Sequence, residues 1–309
     1  MPLRFTLRQI EYLIAVADAG SVALAAERLH VSSPSISTAI SQLEADFGLQ
    51  LFIRRHAQGL SLTEGGRRFV ETARTILAAA ADLNDRAAEL TGTVSGPLSV
   101  GCLLTFAQVL LPRLRRSFAD AHPQVEFRQS EDDHAALIDA LRHARIDAAL
   151  SYDMQVPADL AFVPLLSLPP YALLAEDHPL ANREAVTPGD LVAYPMVLLD
   201  LPYSAEYFLS FFTGHKPVIA ERTRDMGVMR AMVANGFGYS IANIRLGSDR
   251  APDGRKLAFV PLKTTQPPMR MGLILPAHTA QRRTVAAFVD HCRATVTDAV
   301  LPGLTSPDA

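Results

Sequence analysis

The chain has 309 residues, enough for two or three domains, and its 49% hydrophobic and 20% charged content excludes a disordered or fibrous protein. Twenty-nine basic residues face 32 acidic ones for a net charge of −3, so the global balance favours no polyanionic partner and any nucleic-acid contact has to be local. Cys102 and Cys292 are too few for a disulfide framework or a zinc cluster, and no apolar run reaches the ~18–20 residues of a bilayer span; a cytoplasmic protein with no signal peptide and no membrane partner is expected.

Helix breakers are unevenly spread. Only two of the 21 prolines, Pro2 and Pro34, precede position 97, which predicts helices early and short strands later. The first helix reads from a capping box of Thr6 and Gln9 to Gly20, with Ile10, Leu13, Ile14 and Ala17 on one face. Ser21 is a candidate cap for a second, short helix that turns Val22, Ala25, Ala26 and Leu29 inward, followed by the turn His30-Val31-Ser32. A third helix follows, with Ser33 as its expected N-cap, Pro34 in the first helical position and Gly48 as its stop. Ile36, Ile40, Leu43 and Phe47 form one stripe for burial, which leaves Ser35, Thr38, Ser41 and Gln42 pointing outward. Two short helices, a tight turn and a helix with a small polar outer face suit insertion into a major groove. Leu49–Arg54 and Leu60–Leu62, separated by His56-Ala57-Gln58-Gly59, read as a two-stranded wing that brings Arg54 and Arg55 toward phosphates. A plain three-helix bundle would show the same periodicity. Residues 1–68 hold only seven arginines against six acids, so the pattern by itself leaves both readings open.

After the candidate cap Thr63, one helix is expected from Glu64 to Leu90, ~40 Å long at 1.5 Å per residue. Phe69, Ala73, Ile76, Ala80, Leu83, Ala87 and Leu90 are spaced as a coiled-coil seam that alternates alanine with larger apolar residues. A core helix lying on its own domain is the alternative; the length and the narrow stripe favour pairing with a second copy. A homodimer would present two reading helices to near-palindromic half-sites about one helical turn of DNA apart, or a multiple of it. The turn-forming stretch Thr91-Gly92-Thr93-Val94-Ser95-Gly96-Pro97 marks the main boundary.

Beyond it, β-like runs at Leu98–Gly101, Val125–Gln129, Ile146–Ser151, Tyr171–Ala175, Pro195–Leu199, Val218–Arg222 and Arg270–Leu275 alternate with helices near Phe106–Ala121, Ala135–Arg142 and Met226–Asn235. That is the pattern of two α/β lobes with a cleft at the strand ends. Thr105, at the start of a helix that follows a strand, is a candidate anion contact. Gly238-Tyr239-Ser240-Ile241-Ala242 imitates a nucleophile elbow, but a helix precedes the serine and an apolar run follows it, the reverse of what a hydrolase needs. Gly236 and Gly238 lack the third glycine and leading strand of a dinucleotide loop, and are read as chain reversal. His122-Pro123 and His178-Pro179 lack metal-ligand spacing, so neither an enzyme nor a metal site is expected.

The strings Ser21-Val22-Ala23-Leu24-Ala25-Ala26-Glu27-Arg28-Leu29, Ser32 to Ser37, Leu43-Glu44, Gly48-Leu49-Gln50-Leu51-Phe52-Ile53-Arg54 and Leu62-Thr63-Glu64-Gly65-Gly66 resemble the LysR-type transcriptional regulators of bacteria. The resemblance implies an α/β chain with an N-terminal winged helix-turn-helix domain (1–63), a linker and dimerisation helix (64–92) and a two-lobed effector-binding domain (93–309) similar to type 2 periplasmic binding proteins. Lobe I would take about 94–166 plus 268–300, and lobe II about 167–267. It further implies double-stranded DNA, a second copy of the chain as dimer or dimer of dimers, and a small-molecule co-inducer as partners, with RNA polymerase a further candidate and no cofactor. Matched to the family, DNA contact falls to Ser33, Ser35, Thr38, Gln42 and Arg54, with Arg55 on a phosphate. The chain departs from the family at Ser33 and Ser35, where glutamine and alanine are common. Effector contact falls to Thr105, Tyr152, Tyr203, Ser204 and Thr223. An exported solute-binding protein would share the second half but not residues 1–90. A disulfide switch through Cys102 and Cys292 is a third reading, against which stands plain core packing of both thiols.

Overall fold

The computed structural model of the protein describes residues 3–55, 59–91, 94–214, 216–276, 279 and 282–297. They fall into two compact units, one formed by the chain up to Thr93 with Arg142–Arg145, the other by Val94–Leu141 and the chain from Ile146 on.

The first unit begins with three helices, α1 (Leu7–Ala19), α2 (Val22–Leu29) and α3 (Ser33–Phe47). The Thr6/Gln9 capping box opens α1, and Gly20 closes it in the left-handed conformation that a side chain would oppose. Ser21 occupies the cap position of α2, but its hydroxyl makes no capping hydrogen bond. The cap of α3 is Ser32, one residue earlier than expected. Its Oγ accepts from the Ser35 amide, which makes Ser33 the first helical residue. Ile36, Ile40 and Leu43 of α3 are buried against α1 and α2, whereas Phe47 is 41% exposed and meets Phe69 edge-on, with ring centroids 4.8 Å apart. Phe47 thus lies at the rim of the stripe rather than in it.

Strands β1 (Phe52–Arg55) and β2 (Gly59–Leu62) pair antiparallel, Phe52 opposite Leu62 and Arg55 opposite Gly59. Residues 56–58 of the expected wing turn lie outside the described residues. Helix α4 (Glu64–Thr91) starts at Thr63, whose Oγ1 accepts from the Gly66 amide at 2.8 Å. A Cβ on Gly66 would stand 2.1 Å from the Leu51 carbonyl oxygen, so only glycine lets α4 approach the strand so closely.

The second unit runs β3 (Gly96–Leu103), α5 (Leu104–Ala107), α6 (Leu111–Ala121), β4 (Val125–Asp132), α7 (His134–Arg142), β5 (Ala148–Tyr152) and β6 (Leu160–Leu168). Then come β7 (Tyr171–Ala175), α8 (Pro188–Leu191), β8 (Pro195–Leu199), α9 (Ser204–Leu209), β9 (Val218–Thr223), α10 (Met226–Ala234), β10 (Ser240–Ala242) and β11 (Leu257–Pro261). The chain returns through β12 (Met269–Pro276) and α11 (Arg283–Thr295). Lobe I is a five-stranded sheet ordered β4-β3-β5-β12-β6, with β3 parallel to β4 and β5, and β12 antiparallel to its neighbours. Its core includes Leu98, Phe106, Phe118, Leu150 and Phe288. The single helix expected near 106–121 is broken in two: Pro112, which has no amide hydrogen, stands in the first turn of α6.

Lobe II joins the sheet β10-β7-β11 to the pair β8-β9 through a bridge between Met196 and Tyr239. Gly238 serves that junction, because a Cβ there would fall 2.1 Å from the Pro195 carbonyl oxygen; it does more than reverse the chain. Ser240 is fully buried inside β10, not raised on an elbow. The strands β6 and β11 and the helices α8, α9 and α11 have no counterpart among the sequence expectations. The lobes are connected twice, between β6 and β7 and between β11 and β12.

Candidate functional site

The outer face of α3 is built as its polar spacing predicts. Ser35, Thr38, Ser41 and Gln42 are exposed and Ser33 is half-buried. Ser35 is not free, since its Oγ lies 2.7 Å from Ser32 Oγ in the cap of the helix. The side chains of Thr38 and Gln42, one turn apart, make no hydrogen bond among the described residues and stay available to a ligand. Arg54 and Arg55 belong to β1, opposite Leu60 and Gly59; their side chains lie outside the described residues. Glu44, named only within the family string, positions this strand: its Oε1 accepts from the Leu51 amide at 2.7 Å and the Phe52 amide at 3.2 Å. A carboxylate between two backbone amides ties the end of α3 to the start of β1 and so sets the helix and the two-stranded wing against each other.

The seam on α4 is only partly free. Ala73 is 1% exposed and sits with Val70 in the core of its own unit, and Phe69 packs on that core, so these two residues face α1–α3 instead of a second copy. Short side chains at this point let α4 lie against α1, which the regular spacing could not distinguish from an intermolecular seam. Ile76 and Ala80 are half-buried without joining the core, while Leu77 between them does. Leu83, Ala87 and Leu90 have side chains outside the described residues.

In the second unit a cleft between the lobes is lined by Leu103, Asp133, His134, Tyr152 and Met154 of lobe I and by Leu201, Pro202, Tyr203 and Ser204 of lobe II. Its volume is about 20 Å³, room for a single water, so a larger molecule requires the lobes to part. Tyr152, Tyr203 and Ser204 meet there. Thr105 does not line the cavity but stands buried beside Tyr152, whose hydroxyl it approaches. Thr223 does not line the cavity; its Oγ1 accepts from the Asp225 amide and caps a turn. The Tyr152 hydroxyl donates to Asn243 Oδ1 at 2.9 Å across the cleft, and burial pushes its pKa well above the usual phenol range.

His134 was not among the residues singled out, though it follows β4 as Thr105 follows β3, and the same strand-to-helix rule points to it. It is 5% exposed, with Nδ1 2.7 Å from Ser151 Oγ, Nε2 without a hydrogen-bond partner among the described residues, and the ring edge-on to Tyr203 at 5.5 Å. Burial lowers its pKa, so the imidazole is held neutral. Tyr203 takes a positive φ of 66°, a conformation that costs a tyrosine energy and is kept because it turns the chain into α9 at the cleft. At the cleft mouth Asp133 of lobe I faces Arg224 of lobe II at 3.9 Å. Among the described residues there is no group of three or more His, Cys, Asp or Glu side chains suited to a metal ion, and no helix is long and apolar enough to cross a membrane.

Comparison with known proteins identifies a family for both parts of the chain. Residues 7–67 match the model of bacterial regulatory helix-turn-helix proteins of the lysR family, and residues 91–297 match the LysR substrate binding domain. The transcriptional activator protein LysR of Escherichia coli is 30% identical, with 97% of this chain and 98% of that protein aligned. The crystal structure of HinK, a LysR family transcriptional regulator from Pseudomonas aeruginosa, is 33% identical and covers 95% of this chain and 99% of its own at a TM-score of 0.63. Full-length CbnR, crystallised in complex with its target DNA, is 27% identical over 94% of this chain and 99% of its own, with a TM-score of 0.61. With a regulatory helix-turn-helix at one end and a two-lobed binding domain filling the rest, this chain belongs to the LysR family of transcriptional regulators.

Proposed function

We propose that the chain reads near-palindromic operator DNA as a dimer or dimer of dimers, with Ser33, Thr38 and Gln42 of α3 toward the base edges and Arg54 and Arg55 of the wing on phosphates. Ser35 contributes through the helix cap. A small molecule held between the lobes by Tyr152, Tyr203, Ser204 and His134 changes the lobe arrangement and thereby the spacing of the paired reading helices. It acts in the cytoplasm, without a cofactor and without chemistry on its ligand. The observation that supports this most is the unpartnered Thr38 and Gln42 face of a helix whose other side is buried. The test is fluorescence anisotropy on duplexes selected from a random pool. Gln42→Ala is expected to change the preferred sequence at a cost of about 1–3 kcal/mol, whereas Arg54→Ala weakens every duplex alike and lowers the salt slope by about one. Equal losses on all duplexes for both variants would sink the assignment of α3 as the reader.

A further inference from the structure

We propose that lobe II carries a second ligand pocket, separate from the cleft, for a small amphipathic carboxylate such as an aryl or short acyl acid. The pocket opens between α8, the turn after α9 and the segment leaving β11, and its volume of about 410 Å³ falls within the roughly 300–1,000 Å³ of small-molecule sites. The cleft holds about 20 Å³. Val192, Phe211 and Phe212 supply an apolar wall, the two phenylalanines being part of the lobe II core. Lys263, Thr264 and Thr265 also line it, and Lys263 makes no ion pair among the described residues.

The charge decides the ligand class. No aspartate or glutamate lines this pocket, so Lys263 is its single formal charge and favours a monoanion with an apolar body. The cleft differs, since the one charged residue that lines it, Asp133, is already paired with Arg224. The threonine hydroxyls complete the carboxylate site. Thr265 has no other hydrogen bond among the described residues, and Thr264 Oγ1 accepts from the Gln266 amide, which leaves its proton to donate. The pocket is also connected to the cleft through the chain. Helix α9 runs from Ser204 in the cleft to just short of Phe211 in this pocket, and the Tyr207 hydroxyl between them donates to the Pro267 carbonyl, on the connection from Lys263 to lobe I.

The experiment is a thermal-shift and calorimetric titration of the full chain with sodium benzoate, sodium hexanoate and benzamide. At least one of the two acids is expected to bind saturably and raise the melting temperature, with benzamide about tenfold weaker than benzoate if benzoate is the binder, as loss of one charge-assisted contact implies. Lys263→Glu, at an exposed position and checked for folding by circular dichroism, is expected to abolish acid binding. The inference is overturned if neither acid binds saturably up to about 10 mM, a free energy too small for a built site, or if Lys263→Glu binds as the parent does. The cleft variant Tyr203→Ala distinguishes the two sites. Binding that survives Lys263→Glu but is lost in Tyr203→Ala places the acid in the cleft, which removes the second pocket and leaves the cleft reading standing.

Discussion

Cys102 and Cys292 lie on β3 and α11 in the core of lobe I, with no exposed surface. Burial drives both thiols far above the ordinary cysteine range, Glu131 adds to the effect at Cys102, and Cys102 adds to it at Cys292. The nucleophile in thiol oxidation is the thiolate, and a buried neutral thiol without a nearby cation has almost none of it. This weighs against the disulfide switch that two lone cysteines allowed. With Ellman's reagent the native protein should show no reacting thiol within minutes and two after denaturation, and peroxide should leave DNA affinity unchanged. One fast thiol in the native state would restore the redox reading. The residue identities were legible from the start; their inertness was not, because burial is produced by strands and helices far apart in the chain.

At the scale of elements, what could be read depended on whether the signal was local. The Thr6/Gln9 box and the stops at Gly20 and Gly48 are satisfied by neighbours in sequence, and each formed where expected. The missed strands β6 and β11 contain Pro164 and Pro261, which argue against a central strand. Both strands lie at sheet edges, where a missing amide costs no ladder bond, and Pro164 sits opposite Gly272 beside a bulge. Helix α11 begins after Arg282, no capping residue; that arginine instead pairs with Asp147 at 2.5 Å and donates to the Pro97 carbonyl. Helix α4 shows the limit of periodicity, since one spacing serves two partners. Its first turns belong to the helical core through Val70 and Ala73, so the proposed pairing with a second copy is left to Ile76 and Ala80 among the residues whose side chains are described. Ile76→Glu or Ala80→Glu should therefore weaken self-association by about tenfold or more in sedimentation equilibrium while leaving the helical unit folded. Ala73→Glu should cost at least about 3 kcal/mol of that unit's stability, because it buries an unpaired charge. If Ile76→Glu and Ala80→Glu leave association intact, the seam is not the dimer contact.

Over the whole effector-binding unit, the two-lobed plan was legible because alternating strands and helices leave few topologies. The cleft was legible only in part. Tyr152, Tyr203 and Ser204 converge there with Asp133 and His134, which the strand-to-helix rule reaches at the end of β4, whereas Asn243 meets the Tyr152 hydroxyl across 91 residues of chain, a pairing that no local pattern encodes. Among the described residues of this unit, three histidines are pushed toward the neutral form by burial: His134 at the cleft, His178 in lobe II and His291 on α11, the last also opposed by His122. Their bonding suits the neutral ring, since His178 Nδ1 accepts from the Leu180 amide and His291 Nε2 lies 2.7 Å from Ser117 Oγ. A histidine whose pKa is lower in the folded state than the unfolded value of 6.5 takes up its proton more readily once unfolded. Acidification through that value therefore favours unfolding, and the stability present above it is lost as the pH falls toward the folded pKa values. The carboxylates held low by their partners, Glu64, Asp190 and Asp253, act in the same direction but below the usual carboxylate range, outside this window. Urea unfolding followed by circular dichroism should then show a midpoint that drops from pH 7.5 to pH 5.5, with a shallower drop in His134→Gln; a midpoint that holds or rises on acidification would mean that these rings are not buried neutral in the native protein.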